Sequence, residues 1–507
     1  MRYLKAVASV SLFLMSAIAF AQNNDGDVYR SRSVMNNSIA ILPFENPSPN
    51  PENAYFAVGF HQELLDHLAK IHDINVIPSI SVVRGGRNAA PAGNKDKFTS
   101  LTETAAQLNV ETVMMGRVLY LNNRFDIFVQ LVNGSNNDVL WSEVYNRELS
   151  DVFSTQAEIV ANIVNILDAK ISPAEQKNIN KVPTSSLEAY AFYLKARALT
   201  SNIRPGMPGE FYEYLGQAVS IDPDFALAYA LMASGYGVAR KVGRELNGLN
   251  LNDVERVTLE YAEKALALDP DLSYAYMAQG FVHQSNWRKL EGEQAFKRAL
   301  QLSPHDVEVL DEYARLLSFF GENEEAIPYA QRVLELAPTS GPTHDLMGWL
   351  LWQTGKFEAA ADSFRKTIEF MPTRAAPHSW LGFIDIFLGD TTEALEELRI
   401  AEKLADKRDL DSVTRIAYGY SKLGLNDEAM RIFKLIEKWG VEGQFIRPSA
   451  WATAYLAIGE NEKVYKILSE NLDNGAQNIQ YLKYNVMKDP VLDQPRFVEL
   501  RNQIGSK

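Results

Sequence analysis

Seven histidines supply most of the side chains from which a metal or acid–base site could be built, and their spacing argues against one. His61, His67 and His72 stand six and five residues apart, whereas two ligands on one helical face must stand three or four apart. His344 and His378 are separated by thirty-four positions. That places them at one site in neighbouring units of a repeat, where packing between units is the expected role. Arg84-Gly85-Gly86-Arg87 lacks the remaining glycines and the Lys-Ser/Thr of a phosphate loop, so it reads as a turn. Glu324-Glu325 and Glu396-Glu397 fall on predicted helices and read as solvated faces. The chain has no cysteine, which excludes disulfides, thiolate metal sites, a cysteine nucleophile and lipid attachment through an N-terminal cysteine. No nucleophile–base arrangement emerges. The expectation is a protein that is not an enzyme and uses no cofactor or metal.

The elements that could position a binding surface are more regular. Prolines recur at Pro270, Pro304, Pro338 and Pro372, always thirty-four positions apart, and close similar phrases (Leu268-Asp269, Leu302-Ser303, Leu336-Ala337, Phe370-Met371). A fixed period of this length marks stacked units, none of which can bury its apolar face alone. Gly280, Ala314, Gly348 and Gly382 keep the same interval. Glycine inside a helix costs about 1 kcal/mol relative to alanine, so its recurrence implies close helix approach. Gly321, Gly355 and Gly389, then Gly424 and Gly459 at intervals one position longer, mark the turn within each unit. Ala326, Ala360, Ala394 and Ala429 follow as small contacts on the second helix.

This region resembles tetratricopeptide repeats (TPR): two antiparallel helices per unit, with a proline ending the second. About eight units fit between 186 and 475, the first opening with Tyr190-Ala191-Phe192-Tyr193-Leu194-Lys195-Ala196. Asp222-Pro223 precedes Asp269-Pro270 by more than one period, so one unit carries an insertion, assigned to Lys241–Asn252. Asp489-Pro490 and Gln494-Pro495-Arg496-Phe497 belong to an expected helical cap over 476–507. In a TPR superhelix the first helix of each unit lines the concave face. The resemblance therefore directs Tyr274, Met277, Phe281, Arg315, Phe319, Trp349, Trp352, Phe383, Phe387 and Tyr418 into a groove, with Asp311 and Asp345 among them. Such a surface would grip apolar or aromatic side chains of an extended peptide or a helix. Arg315 is the one base in the set, so the TPR mode that clamps a C-terminal carboxylate is not expected.

Upstream, the pattern is mixed. Ile39-Ala40-Ile41-Leu42 reads as a strand covered on both faces. Asn50 and Pro51 offer a helix start, and Phe56, Phe60, Leu64, Leu68 and Ile71 form one apolar stripe. Strands are predicted at Asn75–Ile77, Val113–Leu121, Phe125–Leu131 and Val139–Tyr145, with a tight turn at Asn122-Asn123. Helices are predicted over Thr102–Leu108 and Val152–Ile171. The order β-α-β-α-β-β-β-α describes a compact mixed domain over 38–172, with a linker at 173–185 between Pro173 and Pro183. The phrases Ser38-Ile39-Ala40-Ile41-Leu42-Pro43-Phe44-Glu45-Asn46, Pro49-Asn50-Pro51-Glu52-Asn53-Ala54-Tyr55-Phe56, Leu140-Trp141-Ser142-Glu143 and Tyr145-Asn146-Arg147-Glu148-Leu149 are similar to the TolB-like N-terminal domain family. The sequence departs from that family at Val58, which stands where an acid usually precedes the glycine, here Gly59. The expected fold class is an α+β N-terminal domain, a mixed sheet with helices, followed by an all-α TPR superhelical solenoid.

Residues 1–21 read as a cleavable signal peptide: Arg2 and Lys5, an apolar run from Ala6 to Phe20, and Ala19-Phe20-Ala21 at the cleavage site. The run is shorter than the roughly 20 apolar residues needed to span a bilayer, so no membrane span is expected in the mature chain. A polar linker, 22–37, follows. Removing 1–21 takes away two bases and moves the net charge from −14 to −16, which suits neither nucleic acid nor other polyanions. A periplasmic or secreted location is expected, with a protein or peptide partner in the cell envelope. Relatives with this domain pair are often fused to class III adenylate cyclases or winged-helix DNA-binding domains. With only the short linker 22–37 between the cleavage site and the first strand, neither fusion is expected here. The competing expectation is a regulatory or sensor module whose TolB-like domain binds a small ligand near Phe44–Asn53.

Overall fold

The computed structural model describes residues 35–48, 53–78, 101–122, 124–200, 207–246, 248–407, 409–471 and 487–503. The segments expected to be a signal peptide and most of the first linker, with Asn50-Pro51, Arg84–Arg87 and the first part of the expected cap, lie outside them. The sheet comprises β1 (Met35–Ile41), β2 (Asn75–Pro78), β3 (Val110–Leu121), β4 (Arg124–Asn133) and β5 (Val139–Glu148), in the order β2-β1-β3-β4-β5. β1 pairs in parallel with β2 and β3, whereas β3, β4 and β5 pair antiparallel. The continuous apolar run of β1 follows from this central place. Ile39 and Ile41 point into a core with α1 (Ala54–Ala69) and α3 (Val152–Ile166), while Ala40 faces the other way, into the cluster around α2 (Leu101–Leu108). Asn122 takes a φ of 51° at the β3–β4 turn, a conformation asparagine tolerates.

Two local readings change. The helix expected to run to Ile171 stops at Ile166, where Asp168 turns left-handed with φ of 52°. The stretch expected as a linker holds a further helix, α4 (Pro173–Ile179), started by a capping box between Ser172 and Glu175. Glu175 also receives the His72 backbone N–H at 2.9 Å, tying α4 to the end of α1.

From Leu187 to Glu470 the chain is a succession of helix pairs. They are α5 (Leu187–Thr200) with α6 (Gly209–Ile221), α7 (Ala226–Lys241) with α8 (Leu251–Leu268), α9 (Ser273–Ser285) with α10 (Lys289–Leu302), and α11 (Val307–Phe319) with α12 (Asn323–Leu336). There follow α13 (Gly341–Gln353) with α14 (Phe357–Phe370), α15 (Ala375–Leu388) with α16 (Thr391–Leu404), α17 (Leu410–Lys422) with α18 (Asn426–Val441), and α19 (Pro448–Ala457) with α20 (Asn461–Glu470). A 3-10 turn (Pro490–Asp493) and α21 (Pro495–Gln503) end the described chain. The extra residues of the second pair are divided between a longer loop and longer helices, 16 and 18 residues against 13 and 14 in the next pair.

The repeating small residues have the predicted cause. A Cβ on Gly280 would lie 2.4 Å from the Phe296 ring, and one on Gly348 would lie 2.8 Å from Phe364. In these two pairs the second helix presses a ring onto the first; at Gly382 it is the Ala394 carbonyl and Leu398 that come close, both at 2.9 Å. The repeating prolines carry a feature not foreseen. Tyr276, His344 and His378 each stand six residues beyond a proline and donate to its carbonyl, at 3.3, 2.9 and 3.4 Å respectively. That is the packing role expected for the two histidines.

The sheet domain and the solenoid share one core. Ile39, Phe60 and Ile159 belong to the same buried cluster as Tyr190, Phe211, Phe225 and Val254. At its centre α1 crosses α5 so closely that a Cβ on Gly59 would meet Leu194 Cδ2 at 2.9 Å. Farther along, His305 donates Nε2–H to the His72 carbonyl at 2.9 Å, and its Nδ1 accepts from Arg332 at 3.1 Å. Arg332 also donates to Asn75 Oδ1 at 2.6 Å, joining α12 to β2.

Candidate functional site: inner face and interdomain seam

The predicted groove residues separate into three groups. Met277, Phe281, Trp352, Phe383 and Tyr418 are buried, at 0 or 1% exposure, and cannot contact a partner without unfolding. They fail as groove residues because neighbouring first helices pack ring on ring: Trp352 lies 5.2 Å from Phe383, which lies 5.5 Å from Tyr418. Tyr274 is half-buried at the seam with α1 rather than in an open groove, its ring 5.7 Å from the Arg197 guanidinium. Arg315, Phe319 and Trp349 are half-buried, and Phe387 is 41% exposed.

These four remain on the accessible side. Arg315 Nε donates to Asp311 Oδ2 at 2.7 Å and its Nη2 to the Pro342 carbonyl at 3.3 Å, so it braces consecutive units. Trp349 Nε1 donates to Ser318 Oγ at 3.1 Å. The Phe319 ring lies 4.8 Å from that of Trp287, tilted by 44°, and Trp287 has a φ of 59°. Trp287 stands one repeat period before Gly321, so it occupies the turn position that later units fill with left-handed glycines, Gly321, Gly355, Gly389, Gly424 and Gly459. Held there, its ring extends the aromatic edge formed by Phe319 and Phe320.

A second base escaped the sequence projection. Arg415 on α17 is 8% exposed, lies 3.7 Å over the Trp380 ring and donates Nη1–H to Ser379 Oγ at 2.6 Å. Burial pulls its guanidinium down to about 10. It stands three positions before Tyr418, a register that the projection onto the groove included in no unit.

The seam between α1 and the solenoid gathers charge that no motif announces. Arg197 of α5 is buried, with Nε 3.3 Å from Glu63 and Nη2 donating to Asp66 at 2.5 Å. Tyr193 donates its hydroxyl to Glu63 at 2.7 Å. Asp306 caps α11, accepting from the backbone N–H groups of Glu308 and Val309 at 2.9 and 3.2 Å. Three carboxyls, Glu63, Asp66 and Asp306, thus converge with one guanidinium around a cavity of about 30 Å³, room for a water molecule. Burial raises the Glu63 carboxyl above its ordinary value, against the opposing pull of Arg197. Burial, reinforced by Asp66, pushes Asp306 up to about 6; burial and Asp306 push Glu308 up to about 8. His67 faces the same cavity and is driven down to about 3 by burial and by Lys70.

The chain's C-terminal part crosses the inner face. Lys488 Nζ donates to the Gln353 carbonyl on α13 at 3.3 Å. Asp489 Oδ2 accepts from Lys422 Nζ at 3.0 Å and from the Tyr418 hydroxyl, both on α17. Leu492 and Phe497 are buried in the solenoid core. Burial works against the Asp489 charge, but Tyr418, the Val491 N–H and Lys422 outweigh it and hold the carboxyl below its ordinary value. This segment explains part of the missing groove: Tyr418 is covered by residues from far beyond its own unit. Among the described residues, no group of three or more His, Cys, Asp or Glu is placed to hold a metal ion, and no helix is long and apolar enough to cross a membrane.

The helix pairs have the arrangement expected from the sequence period, two helices per unit in succession from Leu187 to Glu470. No protein-family model matches the chain. "Putative adenylate cyclase 3" of Rhizobium meliloti (strain 1021) is 31% identical over 196 residues, which cover 39% of this chain and 32% of that protein. The chain thus spans about a third of the length of the curated relative it matches. Among solved structures, YrrB, described as a TPR protein with an unusual peptide-binding site, is 22% identical, with 38% of this chain and 93% of that chain covered and a TM-score of 0.30. PilF of Pseudomonas aeruginosa is 16% identical over 43% of this chain and 93% of its own, with a TM-score of 0.36. The human IFIT1 dimer with m7Gppp-AAAA is 15% identical over 70% and 77%, with a TM-score of 0.40.

Proposed function

We propose that this protein is an exported, non-catalytic scaffold that binds a protein or peptide partner through the inner face of its TPR solenoid, with a TolB-like domain at its N-terminal end for a second envelope partner. One observation carries the reading. On a face otherwise packed ring on ring, Phe387 stays 41% exposed beside Phe383 and Phe357, with Trp349 half-buried nearby. Large apolar side chains left open beside a concave repeat surface suit the apolar anchors of a bound peptide. The experiment is capture of envelope proteins by the full chain and by a Trp349→Ala, Phe387→Ala variant. The pair omits Trp352, whose removal would hollow the core. A specific partner lost by the variant supports the reading; a partner retained at equal yield refutes it. Export is tested by fractionating cells that make the chain with and without residues 1–21.

A second reading, a regulatory or sensor module, is favoured by the identity to a protein named as a putative adenylate cyclase. It requires a small ligand at the strand ends of the TolB-like domain. A thermal shift with nucleotides in the absence of any protein partner would support it over the scaffold.

A further inference from the structure

The two edges of the sheet are built differently. β2 has four residues, ends on Pro78 and is met from the solenoid by Arg332. Shortness, proline and cover are the means by which an edge is kept from pairing further. β5 has none of them. It is ten residues long, Val139–Glu148, without proline or lysine, and among the described residues no strand lies beyond it. After an irregularity at its start, Trp141 to Glu148 pair in step with β4 from Leu131 to Arg124. Its outer side therefore offers a regular row of backbone donors and acceptors to a strand that can match it.

The side chains say which strand that is. Tyr145 and Arg147 turn towards α3, where Arg147 donates to Glu158 at 2.7 Å and Asn162 donates to the Tyr145 hydroxyl at 3.4 Å. Alternate residues face the other way, and Val144 among them is 66% exposed. Its register partner on β4 is Phe128, half-buried, with the Arg117 guanidinium 5.7 Å from its ring. Two copies joined antiparallel about a two-fold axis set residue i opposite j and j opposite i, and opposite residues share a face. Centred on Glu143, the pairing opposes two carboxylates. Centred on Tyr145, it sets Val144 against Asn146 and asks Arg147, already held by Glu158, to pair with Glu143. Centred on Val144, it opposes Val144 with Val144 and extends one apolar row, Phe128–Val144–Val144–Phe128, over both copies. Ser142 then faces Asn146, Leu140 faces Glu148, Glu143 faces Tyr145, and Trp141 faces Arg147, whose guanidinium suits an indole. No like charges meet. The strand is complementary to itself, which a peptide of arbitrary sequence need not be.

We infer that β5 is a self-docking edge, and that two copies of this chain join along it, antiparallel about a two-fold axis at Val144, so that their sheets become one. The inference goes beyond the scaffold reading and does not depend on it.

The test uses the full chain. Sedimentation equilibrium across the micromolar range should give twice the mass of one chain. Val144→Lys sets two ammonium groups against each other on the axis and should weaken association at least tenfold. The side chain is exposed, so the fold, read by circular dichroism, should not change. Because the chain has no cysteine, Val144→Cys introduces a single thiol. Opposite residues of an antiparallel pair stand about 4.5–5.5 Å apart between Cα atoms, within the span of a disulfide, so mild oxidation should link two copies of this variant. Ser142→Cys should not link to itself, since in this register it faces Asn146, but should link when mixed with Asn146→Cys. A chain that stays monomeric across that range, whether alone or holding an extended peptide at β5, overturns the inference. So does a dimer indifferent to Val144→Lys, or a Ser142→Cys variant that links to itself as readily as Val144→Cys.

Discussion

Replacing Asp306 with asparagine separates the carboxylate's charge from its capping role. Either side chain can accept from the N–H groups of Glu308 and Val309, but only aspartate places a charge in the seam beside Asp66. In the folded protein this carboxyl titrates at about 6, above its ordinary 3.8. The folded state therefore holds the proton more tightly than the unfolded chain, and stability falls as pH rises between those values. Below both, the group is neutral in either state and costs nothing. Above about 6 the full cost is present, and the interval between the two values corresponds to about 3 kcal/mol. Asp306→Asn should thus raise unfolding stability by about 2–3 kcal/mol at pH 8 and change it little at pH 4. Urea unfolding followed by circular dichroism at the two pH values measures both offsets. An offset of the same size at both, or a variant less stable at pH 8, would refute the account of the seam.

Gly59→Ala drives a methyl group into Leu194 and its carbonyl, at 2.9 and 3.0 Å. The variant should lose about 1–3 kcal/mol in the same urea assay, and no loss would mean that α1 and α5 are not in close contact in solution. Trp287→Gly removes a left-handed tryptophan and, with it, the contacts to Phe319 and Phe320. Relief of roughly 1 kcal/mol is smaller than the loss of a half-buried indole, at about 1.5–3 kcal/mol, so the variant should be less stable. A stabilised variant would show that the ring contributes nothing at that turn.

Elements defined by local chemistry were legible in the sequence. The evenly spaced prolines mark the ends of second helices, the periodic glycines lie under Phe296 and Phe364, and Ile39–Ile41 form a central strand. Helix α4 was legible in principle through Ser172 and Glu175, a capping pair set beside a proline that drew the eye to a linker. The candidate site was legible only in part. Position on a first helix says which way a side chain points, not what later covers it. Tyr418 is closed by Asp489 and Tyr274 by α1, and both contacts join residues that no local pattern relates. The seam carboxyls were hidden for the same reason, since Glu63, Asp66 and Asp306 each read singly as ordinary helix-surface or capping residues.

A plain repeat array can fold as it is made, because each unit needs only its neighbours. This chain does not have that freedom. Strand β2 lies at the sheet edge, and Asn75 is joined to Arg332, 257 residues later. At ordinary rates of synthesis that separation is roughly ten to fifty seconds of translation. Throughout that interval Asn75 on this edge strand lacks its Arg332 partner, and an edge strand is where pairing with the wrong chain begins. The strand's length of four residues limits that hazard. It also makes a holding chaperone most valuable before the helix bearing Arg332 has emerged.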